Sequence, residues 1–278
     1  MKFLRPRILA LDLDETLLRK DLSITSNTRN TIKKTIESGV TVVLASSRIP
    51  ETMERYSRFL NLHKRAGYII SNNGALITES NTGNIVHESL LDREIILKIC
   101  DLAESEGFPL QMYDSNITYI SKKNEYSSID EQMTGLRQVV VENFRALVGD
   151  GCYKLIIPGE PELLSSVESL IRSYMKTKLS FYTSRKYFLQ ITPEGTNKGS
   201  ALAKIADISG VKAEEVMAVG DSMNDEAMIR WAGVGVAMAN GDENLKKIAA
   251  MVTDKTNDED GLADFIEKYL FGQEDPAK

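Results

Sequence analysis

The sequence is poor in cysteine and histidine, the residues that form disulfides and bind soft metal ions. Of its 278 residues, two are cysteine and two are histidine. Cys100 and Cys152 each lie beside apolar residues, and the chain contains no Cys-x-x-Cys motif or Cys/His cluster. We therefore expect buried free thiols in a reducing compartment, and the sequence gives no support for a disulfide. His63 and His87 have no partners at ligand spacing, so both are expected at the surface.

Long hydrophobic runs and an excess of basic residues are also absent. No apolar stretch approaches the length of a membrane span. The formal net charge is -6, which argues against nucleic acid or an acidic membrane as the main partner. An acidic protein can still bind a small anion where a metal ion or a local cation bridges the two. We expect a cytoplasmic protein, and the sequence implies no membrane, nucleic-acid or protein partner.

Short buried strands alternate with amphipathic helices at both ends of the chain, which predicts an α/β fold with a doubly wound, Rossmann-like parallel sheet. Ser26 is a candidate cap for the first helix, which is expected to run to about Ser38. Four of the predicted strands end in polar or charged side chains. These strands are residues 8–11 before Asp12 and Asp14, 40–45 before Ser46, 67–70 before Asn73, and 216–219 before Asp221.

The middle of the chain departs from this alternation. A predicted hairpin around residues 81–84 is followed by two helices, near 92–105 and 161–175, and by several short strands. Residues 124–145 have mixed periodicity and receive no clear assignment. We expect an inserted α+β cap domain at 83–189, with the core formed by residues 1–82 and 190–278.

The side chains at the strand ends suit phosphoryl transfer. One carboxylate can attack phosphorus, a second can carry a proton, and separated carboxylates supply the oxygen ligands that Mg²⁺ prefers. Lys198, at the start of a predicted helix, offers a cation for the phosphoryl oxygens. Alone, the stretch at Asp12 and Asp14 would equally suit a solvated strand end with Thr16 capping the next turn. Arg48 could be a surface base, and Asn73 with Gly74 a simple tight turn.

Five short motifs and two downstream segments occur along the chain in the order that is typical of one protein family. They are Asp12-Leu13-Asp14-Glu15-Thr16, Ser46-Ser47-Arg48, Asn73-Gly74-Ala75, Lys198 within residues 196–199, Gly220-Asp221-Ser222-Met223-Asn224-Asp225, and the downstream segments 236–241 and 257–261. The chain thereby resembles the haloacid dehalogenase superfamily of phosphatases, and within it the Cof-like sugar-phosphatase group with an α/β cap. The resemblance runs almost end to end.

The resemblance implies a role for each motif residue. Asp12 is the nucleophile and a Mg²⁺ ligand, and Asp14 is the general acid and base, whose backbone carbonyl also binds the metal. Asp221 is the remaining carboxylate ligand, and Asp225 holds a metal-bound water. Three residues contact the phosphoryl group: Ser46 through its hydroxyl and backbone N–H, Lys198, and Asn224.

Two positions depart from the family pattern, because Glu15 and Ser47 stand where glycine is usual. A Cβ at Ser47 could narrow the approach of the backbone to a phosphate. The resemblance predicts a Mg²⁺-dependent phosphomonoester hydrolase that forms an aspartyl-phosphate on Asp12. Its expected substrate is a small phosphorylated metabolite, in particular a sugar phosphate, with the inserted domain as a mobile lid. A phosphomutase, or a regulatory protein that binds a phosphorylated ligand with reduced turnover, are the alternatives.

Overall fold

The computed structural model describes residues 5–176, 178–184 and 186–272. Its strands, in chain order, are β1 Ile8–Asp12, β2 Thr41–Ala45, β3 Tyr68–Ser71, β4 Leu76–Glu79, β5 Ile85–Glu88, β6 Leu91–Asp92, β7 Gln111–Asp114, β8 Ile117–Ile120, β9 Arg137–Val140, β10 Gly151–Cys152, β11 Leu155–Pro158, β12 Leu179–Ser184, β13 Phe188–Pro193, β14 Val216–Gly220, β15 Val234–Ala237 and β16 Met251–Val252. The hairpin expected around residues 81–84 joins β4 to β5.

The α-helices of the described residues are α1 Ser26–Glu37, α2 Pro50–Phe59, α3 Arg93–Glu106, α4 Glu125–Thr134, α5 Pro161–Tyr174, α6 Lys198–Ile208, α7 Glu226–Trp231, α8 Glu243–Ile248 and α9 Gly261–Ile266. None of these helices is both long and apolar enough to cross a membrane. The expected cap of α1 was wrong by one residue, because the side chain of Thr25 accepts the hydrogen bond from the Thr28 backbone N–H. Thr25 also donates to Asp260, which fixes its hydroxyl at the helix start.

Eight strands form the larger sheet, in the order β16-β15-β14-β1-β2-β3-β4-β5. The six from β16 to β3 are parallel, and β4 runs antiparallel to β3. Side chains of β1 alternate between two apolar cores. Leu9 and Leu11 belong to one core together with residues of α1, α2 and α9, whereas Ile8 and Ala10 belong to the other with residues of α6 and α7. Helices therefore cover both faces, which confirms the doubly wound α/β fold.

The remaining strands belong to an α+β unit. Its main sheet has the order β12-β13-β11-β7-β8-β9, and β10 pairs with β6 separately. One face of this sheet is apolar and packs against α3 and α5, burying side chains such as Leu155, Leu189 and Ile96. Cys100 and Cys152 are buried, unpaired thiols of this core, as expected.

The chain forms two compact units. In the part of the chain that the structure describes, the first unit falls within residues 1–48, 53–86 and 197–278, and the second within 49–52 and 87–196. The structure thus changes unit at 48/49, 52/53, 86/87 and 196/197, whereas the borders expected from the sequence are 82/83 and 189/190.

Candidate active site

The candidate active site lies where the chain reverses its direction of travel across the larger sheet. Strand β1 pairs with β2 on one side and with β14 on the other, and all three are parallel. Ligands of open parallel sheets bind beyond the carboxyl ends of the strands at such a reversal. Asp12 is the last residue of β1, and Asp221 directly follows β14. The fold therefore brings these two carboxylates to the position where a ligand is expected.

A buried lysine joins two of the carboxylates. Lys198 Nζ lies 2.5 Å from Asp12 Oδ1 and 2.6 Å from Asp225 Oδ1. The side chains of Lys198, Asp12 and Asp225 are 2%, 7% and 0% exposed, respectively, so water screens the attraction between their charges only weakly. Burial alone would lower the pKa of Lys198, but the two carboxylates outweigh it and raise that pKa above its usual value. Lys198 is therefore a fixed positive charge in the site.

Asp225 is held on both of its carboxylate oxygens. Oδ1 accepts from Lys198, while Oδ2 accepts from the backbone N–H groups of Asp221 and Ser222, at 3.0 and 3.1 Å. Gly220 makes room for this carboxylate, because a Cβ at that position would approach the Asp225 side chain to 2.5 Å. Asp225 therefore supports Lys198 and the turn after β14, and has few lone pairs left for another ligand.

The carboxylates outnumber the cation they surround. Burial and the nearby charge of Asp225 raise the pKa of Asp12 well above its usual value, although Lys198 acts in the opposite direction. The same two causes raise the pKa of Asp221 to about 7, even though Thr16 Oγ1 donates to its Oδ1 at 3.0 Å. A further positive charge would lower both pKa values.

The same carboxylates could hold a metal ion. Asp12, Asp221 and Asp225 each offer an oxygen, and these oxygens lie within 4.8 Å of one another. Carboxylate oxygens suit hard divalent cations such as Mg²⁺. The excess of negative charge and the donor set thus fit a divalent ion. Asp12 and Asp221 are the better placed ligands, since both oxygens of Asp225 already accept hydrogen bonds.

Asp14 is paired with Arg48, a contact that the sequence did not reveal. The Arg48 guanidinium donates through Nε to Asp14 Oδ2 at 2.8 Å and through Nη2 to Oδ1 at 2.6 Å. Burial acts to lower the pKa of Arg48, but the hydrogen bonds and charge of Asp14 outweigh it, and the pKa is raised. With a side chain only 13% exposed, Arg48 is not a surface base. The pair fixes the direction of the Asp14 carboxylate.

The structure supports only part of the expectation for Ser46. Its backbone N–H donates to Ile70 O at 2.9 Å within the sheet, so the expected contact of this N–H with a phosphoryl group is wrong. The hydroxyl is buried and accepts from the Arg48 backbone N–H at 3.1 Å, which leaves its hydrogen for a phosphoryl oxygen. The phosphate contact of the hydroxyl stays a prediction.

Asn224 lies beside Asn73, which brings two of the sequence motifs together. Its Nδ2 donates to Asn73 Oδ1 at 3.0 Å, whereas its buried Oδ1 has no hydrogen-bond partner among the described residues. The turn at residues 72–74 has positive φ values throughout, and Gly74 contacts the residue before Lys198, where a Cβ would come within 2.4 Å of Asn197 O. This turn therefore positions the start of α6, and the phosphate contact of Asn224 stays a prediction.

Glu15 and Ser47, the two departures from the family pattern, differ in backbone conformation. Glu15 has φ 59° and ψ 9°, the left-handed region that glycine adopts most easily. Ser47 is not among the described residues with positive φ, so a side chain at this position carries no such strain.

A carboxylate cluster around a buried lysine, at the reversal point of a doubly wound sheet, is typical of enzymes that transfer phosphoryl groups. A family model described as haloacid dehalogenase-like hydrolase matches residues 9–266. The chain therefore belongs to this family, and it is a phosphatase.

Its relatives are similar over their whole length. The chain is 30% identical over 274 residues to YxeH of Bacillus subtilis (strain 168), provisionally named a phosphatase, and the match covers 96% of this chain and 99% of YxeH. It is also 30% identical over 264 residues to the 5-amino-6-(5-phospho-D-ribitylamino)uracil phosphatase YcsE of the same organism, covering 95% and 96%. A haloacid dehalogenase-like hydrolase from Bacteroides thetaiotaomicron has a similar structure, with a TM-score of 0.88, 30% identity, and 95% and 99% of the two chains covered.

Proposed function

We propose that the protein is a Mg²⁺-dependent phosphomonoester hydrolase that acts on a small phosphorylated metabolite through an aspartyl-phosphate on Asp12. The observation that carries the proposal is the buried contact of Lys198 with Asp12 and Asp225 at the carboxyl end of β1. A lysine fixed beside a carboxylate can neutralise the phosphoryl oxygens as the carboxylate attacks. A strand end exposed to solvent would not bury an ion pair of this kind.

The chemistry requires two half-reactions. In the first, an oxygen of Asp12 attacks phosphorus, the bond from phosphorus to the leaving oxygen breaks, and protonated Asp14 donates its proton to that oxygen. In the second, water attacks the phosphorus of the aspartyl-phosphate, Asp14 accepts a proton from the water, and inorganic phosphate leaves with the Asp12 carboxylate restored. Ser46, Lys198 and Asn224 are the groups proposed to hold the phosphoryl oxygens.

A Mg²⁺ ion would be held by Asp12, by Asp221 and by the backbone carbonyl of Asp14. When bound, it supplies positive charge to the phosphoryl group and to the attacking carboxylate. Asp225 is proposed to orient water near this site as well as holding Lys198. Thr16 holds Asp221 in place through the 3.0 Å hydrogen bond to its Oδ1.

We propose that the inserted unit supplies specificity. The face of its sheet opposite the apolar core carries side chains with both donors and acceptors, including Gln111, Tyr113, Lys154, Gln190 and Thr192. Gln111 Oε1 and Thr192 Oγ1 are buried without hydrogen-bond partners among the described residues. Most of these side chains are buried, and Gln111 and Tyr113 donate to Asp130 of α4. YcsE is named for a substrate with a phosphorylated ribityl chain. A sugar phosphate is therefore the proposed substrate.

The test is phosphate release from a panel of sugar phosphates, with Mg²⁺ and with a chelator. Asp12→Asn should lose essentially all turnover while keeping its circular dichroism spectrum, because the amide is a poor nucleophile. Asp207→Asn, at an exposed position of α6, is the matched control and should retain activity. Near wild-type turnover by Asp12→Asn would refute the assignment. Transfer of the phosphoryl group to a second hydroxyl without free phosphate would instead indicate a phosphomutase, and binding without turnover a regulatory protein.

A further inference from the structure

Glu15 lies between two residues of the candidate site in a backbone conformation that disfavours its side chain. Its φ of 59° and ψ of 9° are in the left-handed region, where a non-glycine residue is strained. Its neighbours are Asp14, the proposed proton carrier, and Thr16, which holds Asp221. Strained residues of this kind occur mainly where surrounding contacts enforce them.

Two downstream asparagines enforce this conformation. Asn240 Nδ2 donates to the Glu15 carbonyl oxygen at 2.8 Å, and Asn240 Oδ1 accepts from the Asn257 backbone N–H at 3.0 Å. Asn257 Nδ2 in turn donates to Leu18 O at 2.8 Å. The two downstream motifs therefore hold the turn that contains Glu15, and the position of this residue is fixed by the fold.

The Glu15 side chain itself is exposed, and its carboxylate has no hydrogen-bond or ion-pair partner among the described residues. The other charges of the site are balanced more closely. Asp14 pairs with Arg48, and Lys198 offsets one of the two carboxylates it contacts. Two negative charges remain among Asp12, Asp225 and Asp221, which is the charge that a divalent cation would neutralise. Among the carboxylates that the structure describes at this site, Glu15 is then left without a compensating charge.

We propose that Glu15 is a specificity-determining residue that disfavours substrates whose leaving group carries a second negative charge. This inference rests on the proposed function, because it concerns the same phosphatase site. A negative charge on the residue next to the proton carrier repels an anionic leaving group and attracts a cationic one. For two unit charges roughly 8 Å apart, an effective dielectric constant between about 80 and about 20 corresponds to a roughly two- to thirtyfold effect on kcat/KM. Leaving groups without charge should be unaffected.

Three hexose phosphates of similar size provide the test: glucosamine 6-phosphate is cationic on the sugar, glucose 6-phosphate is neutral, and 6-phosphogluconate is anionic. Each is measured as a substrate, and as a competitive inhibitor of p-nitrophenyl phosphate hydrolysis, so that a poorly hydrolysed compound still gives a value. Glu15→Gln removes the charge, Glu15→Gly also removes the backbone strain, and Glu15→Asp keeps the charge. Glu37→Gln is the control, since Glu37 is exposed at the end of α1.

Glu15→Gln and Glu15→Gly should each improve kcat/KM for 6-phosphogluconate relative to glucose 6-phosphate by roughly two- to thirtyfold, and lower it for glucosamine 6-phosphate by a similar factor. Glu15→Asp and Glu37→Gln should leave the ratios unchanged. The differences should shrink in 0.5 M salt, where the Debye length is only about 4 Å. Unchanged ratios in Glu15→Gln, or a change that salt does not reduce, would overturn the proposal. Hydrolysis of p-nitrophenyl phosphate by the same variants reports separately on the proposed function.

Discussion

Replacing Lys198 by methionine should destabilise the protein strongly, because it leaves two buried carboxylates facing each other. Methionine fills much of the volume of the lysine stem but carries no charge. Asp12 and Asp225 would lose their common partner, which now lies 2.5 and 2.6 Å from them. Removing one partner from a buried ion pair costs about 3–5 kcal/mol, since an uncompensated charge remains in a poorly hydrated place.

The measurement is the free energy of unfolding in urea, followed by circular dichroism at pH 7 with a chelator present. Lys33→Met is the matched control. Lys33 lies 3.8 Å from Glu37 on an exposed face of α1, and losing such a pair costs at most about 0.5 kcal/mol. The double variant Lys198→Met/Asp225→Asn should recover a large part of the loss. An asparagine can still accept from the N–H groups of Asp221 and Ser222 without adding a charge.

Two outcomes would refute this reasoning. The first is a Lys198→Met variant whose stability is within about 1 kcal/mol of wild type, since this is far below the cost of breaking a buried pair. The second is a double variant that is less stable than Lys198→Met, because removing Asp225 must then do more harm than its charge does. The first result would mean that protonation, hydration or another cation compensates the carboxylates when Lys198 is absent.

Two further predictions concern the pair of Arg48 with Asp14 and the buried carboxyl of Asp130 in the inserted unit. Arg48→Lys keeps the positive charge but loses the bidentate hydrogen bonds to Asp14. It should therefore slow hydrolysis of an alkyl phosphate roughly tenfold more than hydrolysis of p-nitrophenyl phosphate, because the p-nitrophenol leaving group needs little protonation. Equal slowing of the two substrates would contradict a positioning role. Asp130, in the inserted unit, has a pKa raised by burial although Tyr113, Lys154 and Gln111 act to lower it. The fold therefore favours the neutral form of Asp130. The free energy of unfolding of the wild type should fall relative to that of Asp130→Asn as the pH rises from about 4 to 7. A difference that stays constant with pH would contradict the raised pKa of Asp130.

The strands that form the site could be predicted from the sequence, because strands covered on both faces are short apolar runs that end abruptly in polar residues. Alternation of such runs with helices also predicts that the strands are parallel, so their carboxyl ends meet along one edge. This placed Asp12 and Asp221 near each other although they are 209 residues apart in the sequence. The α/β doubly wound core follows from the same pattern.

The pairing of Arg48 with Asp14 could not be inferred in this way, because it depends on the direction of a long side chain. A weak signal does exist in the sequence. Asp14 is two residues beyond the end of β1, and Arg48 is three residues beyond the end of β2, the neighbouring parallel strand. Side chains of opposite charge at similar distances past adjacent parallel strands are within reach of each other, but a solvated arginine satisfies the same pattern.

Residues 124–145 resisted assignment because their helix buries polar side chains. In α4 the buried positions include Ser127 and Asp130, and Asp130 accepts hydrogen bonds from Gln111 and Tyr113 at 2.7 and 2.8 Å. A helix whose inner face is polar has no apolar stripe at the helical period, and that stripe is the main signal for a helix in a sequence. The buried polar side chains that hid the helix from the sequence therefore bind one another within the unit.

The motif residues that carry no reacting group act by positioning those that do. Gly74 permits a contact with Asn197 O that a Cβ would block at 2.4 Å, and Asn197 caps the helix that begins at Lys198. Gly220 gives space to the Asp225 carboxylate, which holds the same lysine from its other side. A tight turn and a contribution to the site are thus not competing interpretations of Asn73-Gly74. The turn after β3 and the turn after β14 both determine where one buried ammonium group lies, and the position of that group determines which oxygen of Asp12 accepts its hydrogen bond.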